Sequence, residues 1–70
     1  MRVEDVCKFQ IYKQGENNNM IADPLGMPGQ CPVGTGSSPV EAKYDCLVRL
    51  LESDTYRPIL IRMLEAKLAT

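Results

Sequence analysis

The sequence predicts a small α+β domain, a three-stranded antiparallel sheet followed by two helices in the order β-β-β-α-α. Three observations predict it. The first residues alternate between apolar and polar side chains, glycine, proline and asparagine punctuate the first half, and the second half repeats apolar residues with a helical period. We expect residues 1–70 to form one small domain.

The first predicted strand covers residues 3–13. Its alternation places Cys7, Phe9 and Ile11 on one side, which is typical of a half-buried strand. Residues 14–19, Gln-Gly-Glu-Asn-Asn-Asn, tolerate turn geometry and positive φ. We expect them to form the loop of a hairpin.

The second strand begins with residues 20–22 and is ended by Asp23-Pro24, because proline cannot donate to a ladder. Residues 25–29, Leu-Gly-Met-Pro-Gly, predict a loop. Residues 30–35 predict a third strand, interrupted or edged at Pro32. A sheet this narrow needs a helix across one face to be stable.

The first helix has a clear start. Ser38 is suited to the N-cap, and Pro39 falls at the first helical position, where a missing N–H costs nothing. Glu41 lies three residues after Ser38 and completes a capping box. The sequence therefore predicts a helix that begins at residue 39.

This helix carries an apolar stripe at i, i+4, i+7 and i+11, which we expect to cover the sheet. The stripe consists of Val40, Tyr44, Leu47 and Leu51, and is widened by Ala42, Cys46 and Leu50. The opposite side is charged, and Asp45 and Arg49 form a favourable i, i+4 pair.

A second helix is predicted to start near Asp54 or Thr55, with Pro58 tolerated in its first turn. Its apolar face contains Ile59, Leu60, Met63, Leu64 and Leu68, whereas Ile61 lies off that face.

A helix that is apolar over most of its circumference is buried on more than one side. It either packs on the sheet and the first helix together, or is covered by a second molecule. We favour the second interpretation because a 70-residue domain has little core. The sequence thus predicts a homodimer with an interface of Ile59, Ile61, Met63, Leu64 and Leu68.

Composition restricts the function further. The net charge of −1 argues against a protein built to bind nucleic acid, for which a basic excess is expected. The sequence lacks an apolar run near the ~20 residues that span a bilayer. It shows no signal peptide, so a cytoplasmic protein is expected.

The titratable residues do not predict catalysis. Cys7, Cys31 and Cys46 are widely and irregularly spaced, and the chain has no histidine. This pattern indicates free thiols and no metal site. Asp23 lies in a turn without a histidine or a second carboxylate nearby. We expect neither an enzyme nor a cofactor.

Three segments resemble the HicB-like antitoxin domain over residues 7–52. They are residues 23–26 (Asp-Pro-Leu-Gly), 28–31 (Pro-Gly-Gln-Cys) and 36–42 (Gly-Ser-Ser-Pro-Val-Glu-Ala). The resemblance implies a truncated RNase-H-like sheet with helices on one side, and a non-catalytic role in binding a protein. The loop is longer and reordered here, and a short second helix stands in place of the family's DNA-binding domain. Small phage-encoded inhibitors of bacterial defence systems are similar in size and build.

Two functions remain open from the sequence. The first is a protein-binding module, antitoxin-like or a phage-type inhibitor, that blocks a bacterial toxin or defence component by occlusion. Its exposed candidates are Tyr12, Leu25, Met27 and Tyr56.

The alternative is a small-ligand binder that sequesters a phosphorylated or cyclic nucleotide at the start of the first helix. Free N–H groups and the helix dipole favour an anion there. The residues concerned are Gly34, Thr35, Gly36, Ser37 and Ser38. The competing interpretation is that this turn is simply a good helix cap.

Overall fold

The computed structural model describes residues 6–16 and 18–69. It contains strands β1 (Phe9–Lys13), β2 (Met20–Pro24) and β3 (Gly34–Gly36), then helices α1 (Pro39–Glu52) and α2 (Arg57–Leu68). The strands form one antiparallel sheet in the order β1-β2-β3. The predicted fold class is confirmed.

The first hairpin forms as predicted, although β1 is shorter than expected. The Gln14 N–H donates to the Asn19 carbonyl at 3.0 Å and closes the loop. Residues 6–8 are not in the strand, and predicted strand residues 3–5 and loop residue Asn17 lie outside the described residues. Cys7 is buried and Phe9 packs against the core, as the alternation indicates.

Two prolines explain why β3 is shorter than the predicted residues 30–35. Ala22 pairs with Gly34. In the same register, the next pair that would exchange hydrogen bonds is Pro24 with Pro32, because such pairs recur at every second residue. Neither proline has an N–H to donate, so the ladder stops there.

Helix α1 lies across β2 and β3, but in a different rotation from the one predicted. Its buried side chains are Ala42, Cys46, Leu47 and Leu50. The prediction that Val40, Tyr44 and Leu51 cover the sheet is wrong, because they are 48%, 44% and 45% exposed.

The physical reason for this rotation is the close approach of α1 to β3. A Cβ atom on Gly34 would lie 2.0 Å from the Ala42 carbonyl oxygen and 2.3 Å from the Cys46 nitrogen. A Cβ on Gly36 would lie 2.6 Å from the Glu41 Cβ. The side of the helix with Ala42 and Cys46 fits a strand at this distance, and Val40, Tyr44 and Leu51 therefore turn outward.

Helix α2 begins slightly later than predicted, after a turn at residues 54–56, and Pro58 lies in its first turn. Leu60 is its one buried residue. Ile61 lies off the packed face, as predicted. Leu68 does not belong to that face, since it is 69% exposed at the end of the helix.

Candidate protein-binding surface

The predicted glycine-rich turn at residues 34–38 is not a turn throughout, because Gly34–Gly36 form β3 and pair with β2. Residues 37–38 cap α1, and N–H groups of this segment bind the chain's own carboxylates. The Ser38 hydroxyl accepts the Glu41 N–H at 3.2 Å, which confirms the predicted N-cap. The Glu41 carboxylate accepts from the Ser37 N–H at 3.0 Å and from the Ser37 hydroxyl. The acceptor thus reaches Ser37 rather than the Ser38 N–H of a standard capping box. The Ser37 hydroxyl and N–H lower the pKa of Glu41.

A second carboxylate lies at the same turn. Asp45 accepts the Thr35 N–H at 2.9 Å and the Arg49 Nε–H at 2.9 Å. Together the Thr35 N–H and the Arg49 guanidinium lower the pKa of Asp45. A phosphate at this turn would meet donors already in use and two negative charges. This geometry favours the cap interpretation over the anion site.

The four predicted partner-binding residues are not equally exposed. Tyr12 and Leu25 are each 46% exposed. Met27 and Tyr56 are instead half-buried against the core. The Tyr56 hydroxyl donates to the Pro28 carbonyl at 2.7 Å. Tyr56 therefore ties the loop after β2 to the start of α2, and the expectation that it and Met27 are exposed is wrong.

A larger apolar surface lies on the outside of α1. Val40, Tyr44, Val48 and Leu51 follow each other at i, i+4, i+8 and i+11, and each is 44–51% exposed. This spacing places them along one side of the helix. We call these four residues the outer stripe.

The outer stripe continues onto α2 through an apolar groove of about 90 Å³. The groove is lined by Val6, Leu47, Leu51, Leu60, Ile61 and Leu64. Leu51 belongs to both the stripe and the groove, and Ile61, which is 42% exposed, forms the opposite wall. The outer stripe and Ile61 together make one surface, the outer helical surface.

The sequence predicts every residue of this surface except Val48 to be part of an apolar face or of the dimer interface, but it places Val40, Tyr44 and Leu51 in the core. Helix α1 is apolar on two sides, and hydrophobicity alone does not say which side faces the sheet. One signal in the sequence indicates the side that faces the sheet. Gly34 and Gly36 are separated by one residue in β3 and allow a helix to approach closely, and Ala42 and Cys46 supply small side chains at i, i+4.

The predicted dimer residues on α2 divide into two groups. Ile59, Met63 and Leu64 are half-buried, and Met63 and Leu64 pack against the chain's own core. Ile61 and Leu68 are exposed. Much of the predicted α2 interface is therefore already used within the chain.

The thiols are free, as predicted. Cys7 and Cys46 are buried, whereas Cys31 is partly exposed. Burial raises the pKa of Cys46 to about 12 and also raises the pKa of Cys7 and Cys31. Thiols in this state are poor nucleophiles. Within the described residues, His, Cys, Asp and Glu side chains form no group of three suited to a metal ion.

Comparisons with known proteins add no information about these features. No protein-family model, curated protein or solved structure matches the chain. The HicB-like resemblance therefore stays a prediction. Neither helix among the described residues is long and apolar enough to cross a bilayer. The geometry identifies an apolar surface on the two helices and a helix cap occupied by internal carboxylates.

Proposed function

We propose that this chain is a non-catalytic protein-binding module that blocks a partner protein by covering its surface. The observation that carries the proposal is the outer helical surface, where five apolar side chains are 42–51% exposed around an apolar groove. Soluble monomers rarely expose contiguous apolar patches larger than roughly a few hundred Å², and larger patches mark interaction sites.

The composition of this surface suits a protein partner. Tyr44 lies within the outer stripe, and exposed tyrosine supplies a large contact area with a polar tip, as is common at binding hot spots. The groove between Leu51 and Ile61 offers room for an apolar side chain of the partner. A partner that lays an apolar helix along α1 would use both features.

The biological role proposed here is that of an antitoxin-like protein or a phage-type inhibitor, with a bacterial toxin or defence component as the partner. It is supported by the resemblance of residues 7–52 to the HicB-like domain and by the small size of the chain. An inhibitor of this kind needs no active site, since it acts by covering a surface of its partner.

Affinity capture from bacterial lysate, compared across matched variants, tests the proposal. Val48→Asp places a charge in the middle of the outer stripe. Gln30→Asp places the same charge on an exposed polar residue that does not belong to the outer helical surface. We expect one stoichiometric protein to be captured by the parent and by Gln30→Asp, and to be reduced on the order of tenfold or more by Val48→Asp.

Circular dichroism should show the same helix content in all three proteins. A partner captured equally well by Val48→Asp would contradict the assignment of the surface. Capture of no stoichiometric protein by the parent would contradict the function.

The nucleotide-binding alternative has less support, because Thr35 and Ser37 donate their N–H groups to Asp45 and Glu41. It predicts that a phosphorylated or cyclic nucleotide raises the melting temperature. A thermal-shift panel of nucleotides with no increase at millimolar concentration would exclude it.

A further inference from the structure

The two edges of the sheet differ in whether their backbone groups are paired. In an antiparallel ladder, successive residues direct their N–H and C=O groups alternately toward and away from the neighbouring strand. Leu25 N–H donates to Lys8 C=O at 2.8 Å, and Gln14 N–H donates to Asn19 C=O at 3.0 Å. These bonds bracket β1 and fix which residues face β2.

Residues 8, 10, 12 and 14 therefore bond toward β2, and the residues between them face the open edge. Those outward residues are Phe9, Ile11 and Lys13. Within the described residues, the N–H and C=O groups of these three residues make no hydrogen bond. In residues 6–16 and 18–69, the β1 edge thus presents three N–H and C=O pairs at a spacing of two residues.

The β3 edge is closed by comparison. Met20 and Ala22 bond toward β3, so Gly36 and Gly34 face β2 and Thr35 faces outward. The outward Thr35 N–H donates to the Asp45 carboxylate. A side chain that occupies an edge donor is one way in which proteins prevent strand addition.

The helix layer also leaves β1 accessible. Helix α1 packs on β3 and β2. Phe9 and Ile11 are only half-buried, and Lys13 is exposed. An added strand beside β1 would therefore cover apolar side chains as well as pair backbone groups.

We propose that a second copy of this chain pairs its β1 antiparallel with β1 about a two-fold axis at Ile11. Ile11 then faces the second copy's Ile11, and Phe9 faces the second copy's Lys13. Every outward N–H of both strands meets a C=O in this register, because the outward residues are symmetric about Ile11.

Charge favours this arrangement over the parallel one. The antiparallel register places each Lys13 opposite a phenylalanine, with which a cation interacts favourably. A parallel pair in register would place Lys13 opposite Lys13, and directly opposed like charges are destabilising. The two-fold axis keeps both helix layers on the same face of one continuous sheet. The interface does not use the outer helical surface, so it goes beyond the proposed function.

Amide hydrogen exchange of the native protein tests the pairing directly. We expect the Phe9, Ile11 and Lys13 amides to exchange on the order of tenfold more slowly at high than at low protein concentration, as dimer replaces monomer. The Gln10 and Tyr12 amides should be protected at both concentrations. Rapid exchange at Ile11 and Lys13 at high micromolar concentration would overturn the proposal.

Sedimentation equilibrium of matched variants locates the interface. Lys13→Pro removes an outward N–H but no bond to β2, whereas Lys13→Ala removes the same side chain and keeps the N–H. We expect the parent, Lys13→Ala and Ile61→Asp to be dimers and Lys13→Pro to be a monomer with the parent's circular dichroism spectrum.

A monomeric parent would overturn the proposal. Loss of the dimer in Ile61→Asp together with its retention in Lys13→Pro would also overturn it, and would locate self-association on α2 as the sequence predicts.

Discussion

Helices α1 and α2 are attached to the domain in different ways. Helix α1 begins with the Ser38 cap, has four buried side chains and lies in direct backbone contact with Gly34 and Gly36. The N-cap residue of α2, Tyr56, makes no side-chain cap hydrogen bond, and the helix has one buried side chain, Leu60.

The start of α2 is held by local contacts and by one contact to a distant segment. The Ser53 hydroxyl accepts the Tyr56 N–H at 3.3 Å, and the Ser53 carbonyl accepts the Arg57 N–H at 2.9 Å. Tyr56 reaches the Pro28 carbonyl, and Arg57 donates to the Leu51 carbonyl at 3.3 Å and pairs with Asp54 at 2.7 Å. Exposed ion pairs such as this one add little stability. Helix α1 is therefore the structural centre of the domain, whereas α2, with one buried side chain against four in α1, should open at lower free energy.

The largest expected effect breaks the contact between β3 and α1. Gly34→Ala places a methyl group where the Ala42 carbonyl and the Cys46 nitrogen lie, so the helix must move away. We expect the free energy of unfolding to fall by about 5 kcal/mol or more in urea titration, because the clash is with backbone atoms that cannot move independently of the helix. Thr35→Ala, at the exposed middle of the same strand, should cost about 1 kcal/mol or less. Equal losses of stability in Gly34→Ala and Thr35→Ala would show that α1 is not in close contact with β3 at Gly34.

The next prediction compares one core leucine from each helix. Leu50→Ala should cost about 3–5 kcal/mol because the side chain is fully buried between α1 and the sheet. Leu60→Ala should cost about 2–3 kcal/mol, since α2 can detach instead of retaining a cavity. Urea unfolding gives both values, and hydrogen exchange should show that Leu60→Ala deprotects α2 before α1. Uniform loss of protection in both helices would contradict the expectation that α2 opens at lower free energy than α1.

A smaller effect is expected at the α1 cap. Ser38→Ala should lower the free energy of unfolding by about 1 kcal/mol, and Ser38→Gly by only a few tenths. The reason is that alanine loses the hydroxyl acceptor of the Glu41 N–H without glycine's tolerance of the N-cap conformation. Chemical denaturation of the two variants checks the order. Equal losses would mean that Ser38 does not act as the cap.

The smallest effect concerns pH. Glu41 and Asp45 have lowered pKa values in the folded state, so the folded protein binds fewer protons than the unfolded chain near their ordinary values of 4.5 and 3.8. Their contribution to stability is present above those values and is lost as the pH falls through the lowered pKa values.

We therefore expect the double variant Glu41→Gln, Asp45→Asn to show a smaller loss of stability between pH 6 and pH 3 than the parent. Urea midpoints across that range measure the difference. A parent-like slope in the double variant would show that these bonds do not persist in solution.

The sequence alone determined the local features of this protein. The helix start at Ser38 and Pro39, the hairpin loop and the end of β2 follow from residues that restrict φ, lack an N–H or supply a side-chain acceptor. Such effects act over a few neighbouring residues, so they can be predicted without knowledge of the fold. The order of strands and helices follows from these features together with hydrophobic periodicity.

The tertiary structure decided which side of each element is used. Helix α1 is apolar on two sides, and the close contact with Gly34 and Gly36 selects the side with small residues and turns Tyr44 outward. Asp45 pairs with Arg49 as the sequence predicts, but its second partner, Thr35, is 10 residues away, and the partner of Tyr56 is 28 residues away. Hydrophobic periodicity shows which sides of a helix are apolar, but it does not show which of them packs on the sheet. That choice depends on how closely another segment can approach each side.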